Sequence, residues 1–306
     1  MIKIDKIEGG LVGLMVGDAL GVPYEFRAAA EIPFDEEIEF EPPHWFRPSH
    51  AGVPAGTYSD DSAQALILLN TLLECEKLDL NHFAKGLVDW YENGFMAVDG
   101  KVFDVGVQTG KAISELKKGV SPILAGGLDE YSNGNGSLMR ALPLALWHRG
   151  TDAELVADAE AQSCVTHAHL RSRLCCALYC LWARYLLNEV EGAWEKAIEF
   201  LKRLYHQDEE KTAQMEFHIR PLDAHQIRGS GYVVDSLFSA KWAAEQDSFE
   251  KVVKAAVKLG NDTDTTACIA GGIAGIRFGV NSIPARWREN LRGREIFDPL
   301  LKKLLA

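Results

Sequence analysis

Apolar residues return every three or four positions along almost the entire chain, a period that suits helices and leaves little room for sheets. On this pattern, residues 7–22, 62–78, 81–92, 105–118, 137–148, 152–163, 168–188, 192–205, 232–245, 248–259, 265–278 and 295–305 are predicted helices. Few stretches alternate in the two-residue period of a half-buried strand. The expected fold class is therefore all-α, with about a dozen helices.

Two of these helices are rich in small residues. GLVGLMVGDALG carries Gly10, Gly13, Gly17 and Gly21, and ACIAGGIAGIRFG carries Gly271, Gly272 and Gly275. Each interior glycine costs a helix about 1 kcal/mol against alanine. A run of them predicts close backbone packing at the centre of a bundle. A membrane GxxxG seam does not fit, because both runs are short and flanked by charge. The first run also lacks the dinucleotide GxGxxG spacing, and no strand precedes it.

The longest apolar stretch, Leu174 to Ala183, is about half of the roughly 20 residues a membrane span needs. MIKIDKIEGG has neither the apolar run nor the cleavage site of a signal peptide, so a cytoplasmic protein without membrane association is expected. A net charge of −12 repels phosphate backbones and argues against general nucleic-acid binding. Cys75, Cys164, Cys175, Cys176, Cys180 and Cys268 form no CxxC pair, and read as reduced, mostly core residues rather than a zinc site.

Loops gather in two places. Residues 31–56 hold Pro33, Pro42, Pro43, Pro48 and Pro54 with Phe34, Phe40, Trp45 and Phe46, which suggests a lid or binding loop. Residues 206–230 read as a second, charged irregular stretch.

Chemistry concentrates at two predicted helix starts. In GTYSDDSAQAL, Ser59 or Asp60 fits an N-cap and the acids complement the helix dipole. In GNDTDTTACIAGG, Asp262, Asp264 and Thr265 repeat the design. Capping accounts for one acid in each cluster and leaves carboxylates over. Neighbouring buried carboxylates repel and take up protons unless a cation neutralises them. The candidate ligands are all oxygen, which favours magnesium, manganese or calcium over zinc.

A third segment, EYSNGNGSLMRALPLAL, puts a Gly/Asn turn directly before a predicted helix, where exposed N–H groups suit an anionic group such as phosphate. Its bland reading is an ordinary Asn-Gly turn. Glu25 reads as an acid/base candidate or a solvated loop acid, and Asp104 as a helix cap or a ligand. His167 and His169 are not the i, i+4 pair of a helical zinc site.

In order, GLMVGDALGVPYEF, GTYSDDSAQAL, FDVGVQTG, GNGSLMRALPLAL, THAHLRS, GSGYVVDSL and GNDTDTTACIAGGIAG resemble the ADP-ribosylglycohydrolase family over nearly the whole chain. The resemblance implies one domain over 1–306, a compact orthogonal helical bundle, and two magnesium or manganese ions. It implies Ser59, Asp60, Asp61, Asp262, Asp264 and Thr265 as metal ligands, with Glu25, Asp60 and Asp262 catalytic. Ser132, Asn133, Gly134, Asn135 and Gly136 would hold the phosphates, and Asp104 would lie near the distal ribose. His167 and Tyr232 would contact ADP-ribose, Tyr232 beside the adenine.

Two positions depart from the family pattern. Its Trp-Thr-Asp-Asp-Thr reads Tyr58-Ser59-Asp60-Asp61-Ser62, which keeps the hydroxyl, and its common asparagine after FDVG is Val107. The implied reaction is hydrolysis of ADP-ribose from a modified protein or small conjugate. FDVG is similar to the arginine-directed bacterial branch. Serine- and O-acetyl-directed hydrolysis, a non-catalytic ADP-ribose binder and a different phosphohydrolase are the competing readings.

Overall fold

A computed structural model describes residues 2–306. Among the described residues the chain forms fifteen α-helices and no sheet, with only isolated bridges between extended segments. The helices are α1 (Ile2–Gly21), α2 (Asp60–Cys75), α3 (Leu80–Asn93), α4 (Val107–Lys117), α5 (Pro122–Ala125), α6 (Leu142–Trp147), α7 (Asp152–Cys164) and α8 (Leu170–Leu187). They continue with α9 (Ala193–Leu204), α10 (Glu209–Ala213), α11 (Val233–Ala243), α12 (Phe249–Val257), α13 (Thr263–Phe278), α14 (Ala285–Asn290) and α15 (Arg294–Leu305).

The two glycine-rich helices, α1 and α13, are the central pair. A methyl group on Gly17 would stand 2.6 Å from the Ala267 carbonyl carbon, and one on Gly9 2.8 Å from the Val280 nitrogen. On the facing helix, Gly271 and Gly275 present their missing side chains to the carbonyls of Gly13 and Gly9. Backbone therefore packs on backbone, which is what the small-residue runs require. Around this pair one continuous apolar core runs from Ile7 on α1 to Leu304 on α15.

Three expectations change. The helix predicted at 137–148 begins only at Leu142, with Pro143 in its first turn where a missing N–H costs nothing. Residues 135–141 are instead held by tight turns such as Leu138 N–H to the Asn135 carbonyl, 2.8 Å. The 206–230 stretch contains α10 and a π-helical turn over Gln214–Ile219. The 31–56 loop is partly core: Ile32, Ile38, Phe40 and Phe46 are buried while Phe34 and Trp45 stay exposed. Among the described residues no helix is long and apolar enough to cross a membrane. None of the six cysteines is in a disulfide, and all but Cys75 are buried.

Candidate functional site

Close packing of α1 on α13 sets the positions of the two acid clusters. Gly21, the last residue of α1, lies against the backbone of Thr263 and Asp264, and Thr263 Oγ1 donates to the Gly21 carbonyl at 2.7 Å. Four residues earlier in the chain than Val22, Asp18 is fully buried and reaches to the start of α2. Its carboxylate accepts from the N–H groups of Ser59 and Ser62, both at 2.9 Å, and from Ser62 Oγ at 2.5 Å. α1 thus carries a contact to each cluster, one through Asp18 and one through Gly21.

At the start of α2, Ser59 is the N-cap: its Oγ accepts from Asp61 N–H at 3.4 Å and donates to Asp61 Oδ2 at 3.2 Å. Asp60 accepts from Gln64 Nε2 at 2.9 Å. At the start of α13, Asp262 occupies the N-cap position without capping; its Oδ2 accepts instead from Asn135 Nδ2 at 2.7 Å. The clusters meet where Thr265 Oγ1 approaches Asp61 Oδ2 at 3.4 Å.

Asp61 Oδ1 and Asp264 Oδ2 are buried without a hydrogen-bond partner. A buried carboxylate oxygen requires a donor or a cation. Burial pushes Asp60, Asp61 and Asp264 well above the usual carboxylate range, and the neighbouring acids push further in the same direction. Asp18 is pushed up to about 6 by burial, against its hydrogen bonds from Ser62 and Ser59. A bound cation removes both penalties, and the oxygen-rich donors suit a hard ion. Potential ligand atoms lie within 4.8 Å of one another in two sets, Glu25–Asp262–Asp264 and Glu25–His50–Asp104. These acidic clusters could hold metal.

The cleft beside them encloses about 410 Å³, within the roughly 300–1,000 Å³ usual for ligand sites. Glu25, Asp60, Asp104, Gly134, Asn135, Gly136, His167, Asp262 and Thr265 line it. Exposed Phe26, Val107 and Tyr131 stand in the lining as well. Asp104 is not the cap of α4; that position is Gly106, and Asp104 stands in the cleft lining on a left-handed backbone at φ 54°.

Ser132, Asn133 and Tyr232 are not among the lining residues. Ser132 Oγ donates to Asp129 at 2.8 Å, and Asn133 Oδ1 accepts from Ser172 Oγ at 3.2 Å. Tyr232 accepts from Arg171 Nη1 at 3.0 Å. Its neighbouring backbone supports the glycine turn, through an isolated bridge to Gly134 and a Gly231 carbonyl that accepts from Asn135 N–H at 3.1 Å. The turn's backbone is close to His167, since a methyl group on Gly136 would lie 2.8 Å from the imidazole.

Reading the sequence missed Asp18, His50, Gln64 and Arg140. His50 Nε2 lies 2.5 Å from Glu25 Oε2, and Ser49 Oγ donates to the Glu25 carbonyl at 2.5 Å. Burial pushes Glu25 up to about 8, and the hydrogen bond to Glu25 raises His50. The pair therefore keeps a proton between its two members at neutral pH. Arg140 is wholly buried and donates to Gln64 Oε1 at 2.8 Å, Gln162 Oε1 at 2.9 Å and Thr166 Oγ1 at 2.8 Å. Thr166 in turn meets His167 Nδ1 at 2.8 Å. One buried chain of hydrogen bonds thus runs from Asp60 on one wall to His167 on another. Burial, with the Arg140 charge adding to it, lowers His167 to about 3, so its imidazole is neutral.

Comparison with known proteins places these features in context. The family profile described as ADP-ribosylglycohydrolase matches residues 1–306. The ADP-ribosylarginine hydrolase Tri1 of Serratia proteamaculans is 30% identical over 99% of this chain and 79% of its own. The ADP-ribosyl-[dinitrogen reductase] glycohydrolase of Rhodospirillum rubrum is 29% identical over 94% of this chain and 90% of its own. A solved structure titled ADP-ribosylglycohydrolase-related protein complex superposes with a TM-score of 0.76 at 27% identity, covering 99% of this chain and 98% of that one.

Proposed function

Since the chain belongs to the ADP-ribosylglycohydrolase family, enzymes that hydrolyse the glycosidic bonds of ADP-ribose, we propose that it removes ADP-ribose from arginine side chains of proteins in a reaction dependent on two magnesium or manganese ions. The observation that carries the metal dependence is the pair of buried, unpartnered oxygens, Asp61 Oδ1 and Asp264 Oδ2, at two facing helix starts. Ser59, Asp60, Asp61, Asp262, Asp264 and Thr265 would hold the ions. When bound, the ions would supply Lewis-acid polarisation and a lowered pKa for water.

This chain's own groups account for the remaining work. Gly134, Asn135 and Gly136 form a turn with no side chain larger than Asn135, so the pyrophosphate can approach the backbone. Asp104 would meet the distal ribose, and neutral His167 would offer a hydrogen bond without adding charge. Hydrolysis adds water's oxygen to the anomeric carbon and delivers a proton to the departing guanidine nitrogen. Glu25, which with His50 holds a proton at neutral pH, is placed to give it as the bond breaks through an oxocarbenium-like state. Asp60 and Asp262 are placed to take the proton lost by water.

Support for arginine comes from the acid-lined cleft, which attracts a cationic acceptor, and from the likeness to the ADP-ribosylarginine hydrolase of Serratia proteamaculans. The deciding assay offers arginine-, serine- and O-acetyl-linked ADP-ribose to the enzyme with magnesium, manganese or EDTA. Arginine-linked substrate should turn over fastest and EDTA should stop it. Asp60→Asn and Asp262→Asn should abolish turnover and weaken manganese binding; full activity in either variant would sink the shared-metal reading.

A further inference from the structure

A second groove, about 610 Å³ against about 410 Å³ for the cleft, opens on the 31–56 loop. Its lining includes Arg27, Arg47 and Lys258, together with exposed Phe34 and Trp45. Among the described residues none of the three cations makes an ion pair. Arg27 Nη2 donates to the Arg47 carbonyl at 2.6 Å while its buried Nε has no partner. Lys258 Nζ donates to the Pro33 carbonyl at 2.9 Å. The one acid in the lining, Glu31, is already used, accepting from Ala28 N–H at 2.9 Å. In a chain of net charge −12, one groove gathers three cations without an ion pair around two exposed aromatic rings, an arrangement that fits an anionic ligand with apolar groups.

The groove adjoins the site. Two turns meet at the boundary, Phe26 N–H to the Asn261 carbonyl and Asn261 N–H to the Arg27 carbonyl, both 2.6 Å. Glu25, Phe26 and Asp262 face the cleft, and Arg27 and Lys258 line the groove. At about 3.3 Å per extended residue the groove begins within roughly 10 Å of Glu25. A polypeptide whose modified residue sits in the cleft therefore has its neighbouring residues at this groove.

We propose that the groove binds an acidic peptide segment of the ADP-ribosylated protein, flanking the modified residue. This rests on the reading that the substrate is a protein. Carboxylates would pair with Arg27, Arg47 and Lys258, and apolar side chains would pack on Phe34 and Trp45. Nucleic acid fits less well, because the chain's overall charge repels a phosphate backbone beyond the groove.

Fluorescence anisotropy tests this with a labelled, unmodified peptide rich in Asp, Glu and Phe, its Lys-substituted twin, and a single-stranded oligonucleotide. The acidic peptide should bind best, and binding should weaken as salt rises. Arg47→Glu should weaken it on the order of tenfold and Phe34→Ala several-fold. Both side chains are exposed, and Arg47 uses only its backbone oxygen to hold Arg27, so both variants should fold. Equal binding of the two peptides, wild-type affinity in Arg47→Glu, or tighter binding of the oligonucleotide would each overturn the proposal. Hydrolysis of free ADP-ribosylarginine, measured alongside, reports the proposed activity separately: its absence would remove that activity while peptide binding still decides the groove.

Discussion

Gly21→Ala separates the packing argument from every other account of the site. Gly21 has helical angles, φ −75° and ψ −34°, so alanine meets no backbone penalty there and gains up to about 1 kcal/mol of helix propensity. Packing acts the other way. The new methyl would lie 2.5 Å from the Thr263 carbonyl oxygen and nearer still to Asp264 N and Cα, where about 3.5 Å is comfortable. The start of α13 must then move by roughly 1 Å. Overpacking of this kind costs about 1–3 kcal/mol, leaving a net loss of roughly 0–2 kcal/mol and a fall of at most a few degrees in Tm. Activity should suffer far more, since a displacement of about 1 Å at a reacting centre costs on the order of 10²-fold. Thermal denaturation, kcat and manganese calorimetry measure the three effects. Gly110→Ala on α4 is the control, because its nearest neighbour is Val105 Cγ1 at 3.9 Å; it should be neutral or slightly stabilising and fully active. A Gly21→Ala enzyme with wild-type turnover and metal affinity would refute the claim that this helix contact positions Asp264.

His50→Ala should lower kcat by about 10–10²-fold with little change in KM, and His50→Gln, whose amide can still donate to Glu25, should recover much of it; equal loss in both variants would count against the contact. In EDTA, where buried His167 contributes fully above about pH 6.5, stability should fall as pH rises further towards 8. Asp18, Asp60, Asp61 and Asp264 have folded-state values raised above those of the unfolded chain, so their contribution is complete below about pH 4 and is lost as pH rises through the folded values. Asp18 alone, moved from 3.8 to about 6, accounts for about 3 kcal/mol. Magnesium or manganese should restore Tm at pH 7–8, and a profile in EDTA that stays flat from about pH 6.5 to 8 would contradict the picture. Val107→Asn, at an exposed position in the cleft lining, should leave stability within about 0.5 kcal/mol of wild type while shifting the ratio of arginine- to serine-linked turnover.

The helices and the two acid clusters were legible because their signals are local. Seven small residues on two helices predicted close backbone packing at the centre of a bundle, which the structure forms between α1 and α13, and acids in excess of capping at residues 60–61 and 262–264 marked the candidate site. Asp18 was overlooked although it too carries a signal: a single acid inside an otherwise apolar, small-residue helix must be buried with partners. The helix predicted from Ser137 failed at its start, since the apolar period through Leu138, Leu142 and Leu146 is the same for tight turns as for the helix that follows them. Arg140 and Gln64 gave no signal, because a hydrogen bond spanning 76 positions leaves no trace in local pattern.

The same reasoning explains why the part of the site assigned to ADP-ribose can be read from sequence and the acceptor side cannot. Candidate groups for the nucleotide side come from helix starts and one glycine turn, where composition and conformation are tied together. The acceptor side, as proposed, draws on a proline-rich loop whose contacts are long-range and individually ordinary. Yet that loop does two things at once: Ser49 and His50 hold Glu25, and Trp45 to Arg47 line the neighbouring groove. Only Pro48 separates the two functions along the chain. Anything that binds the groove and shifts the loop must therefore alter the hold on Glu25. Peptide bound there should change kcat for the substrate to which it is joined, while a substrate too small to reach the groove should leave the loop, and the proton on the Glu25–His50 pair, as they are.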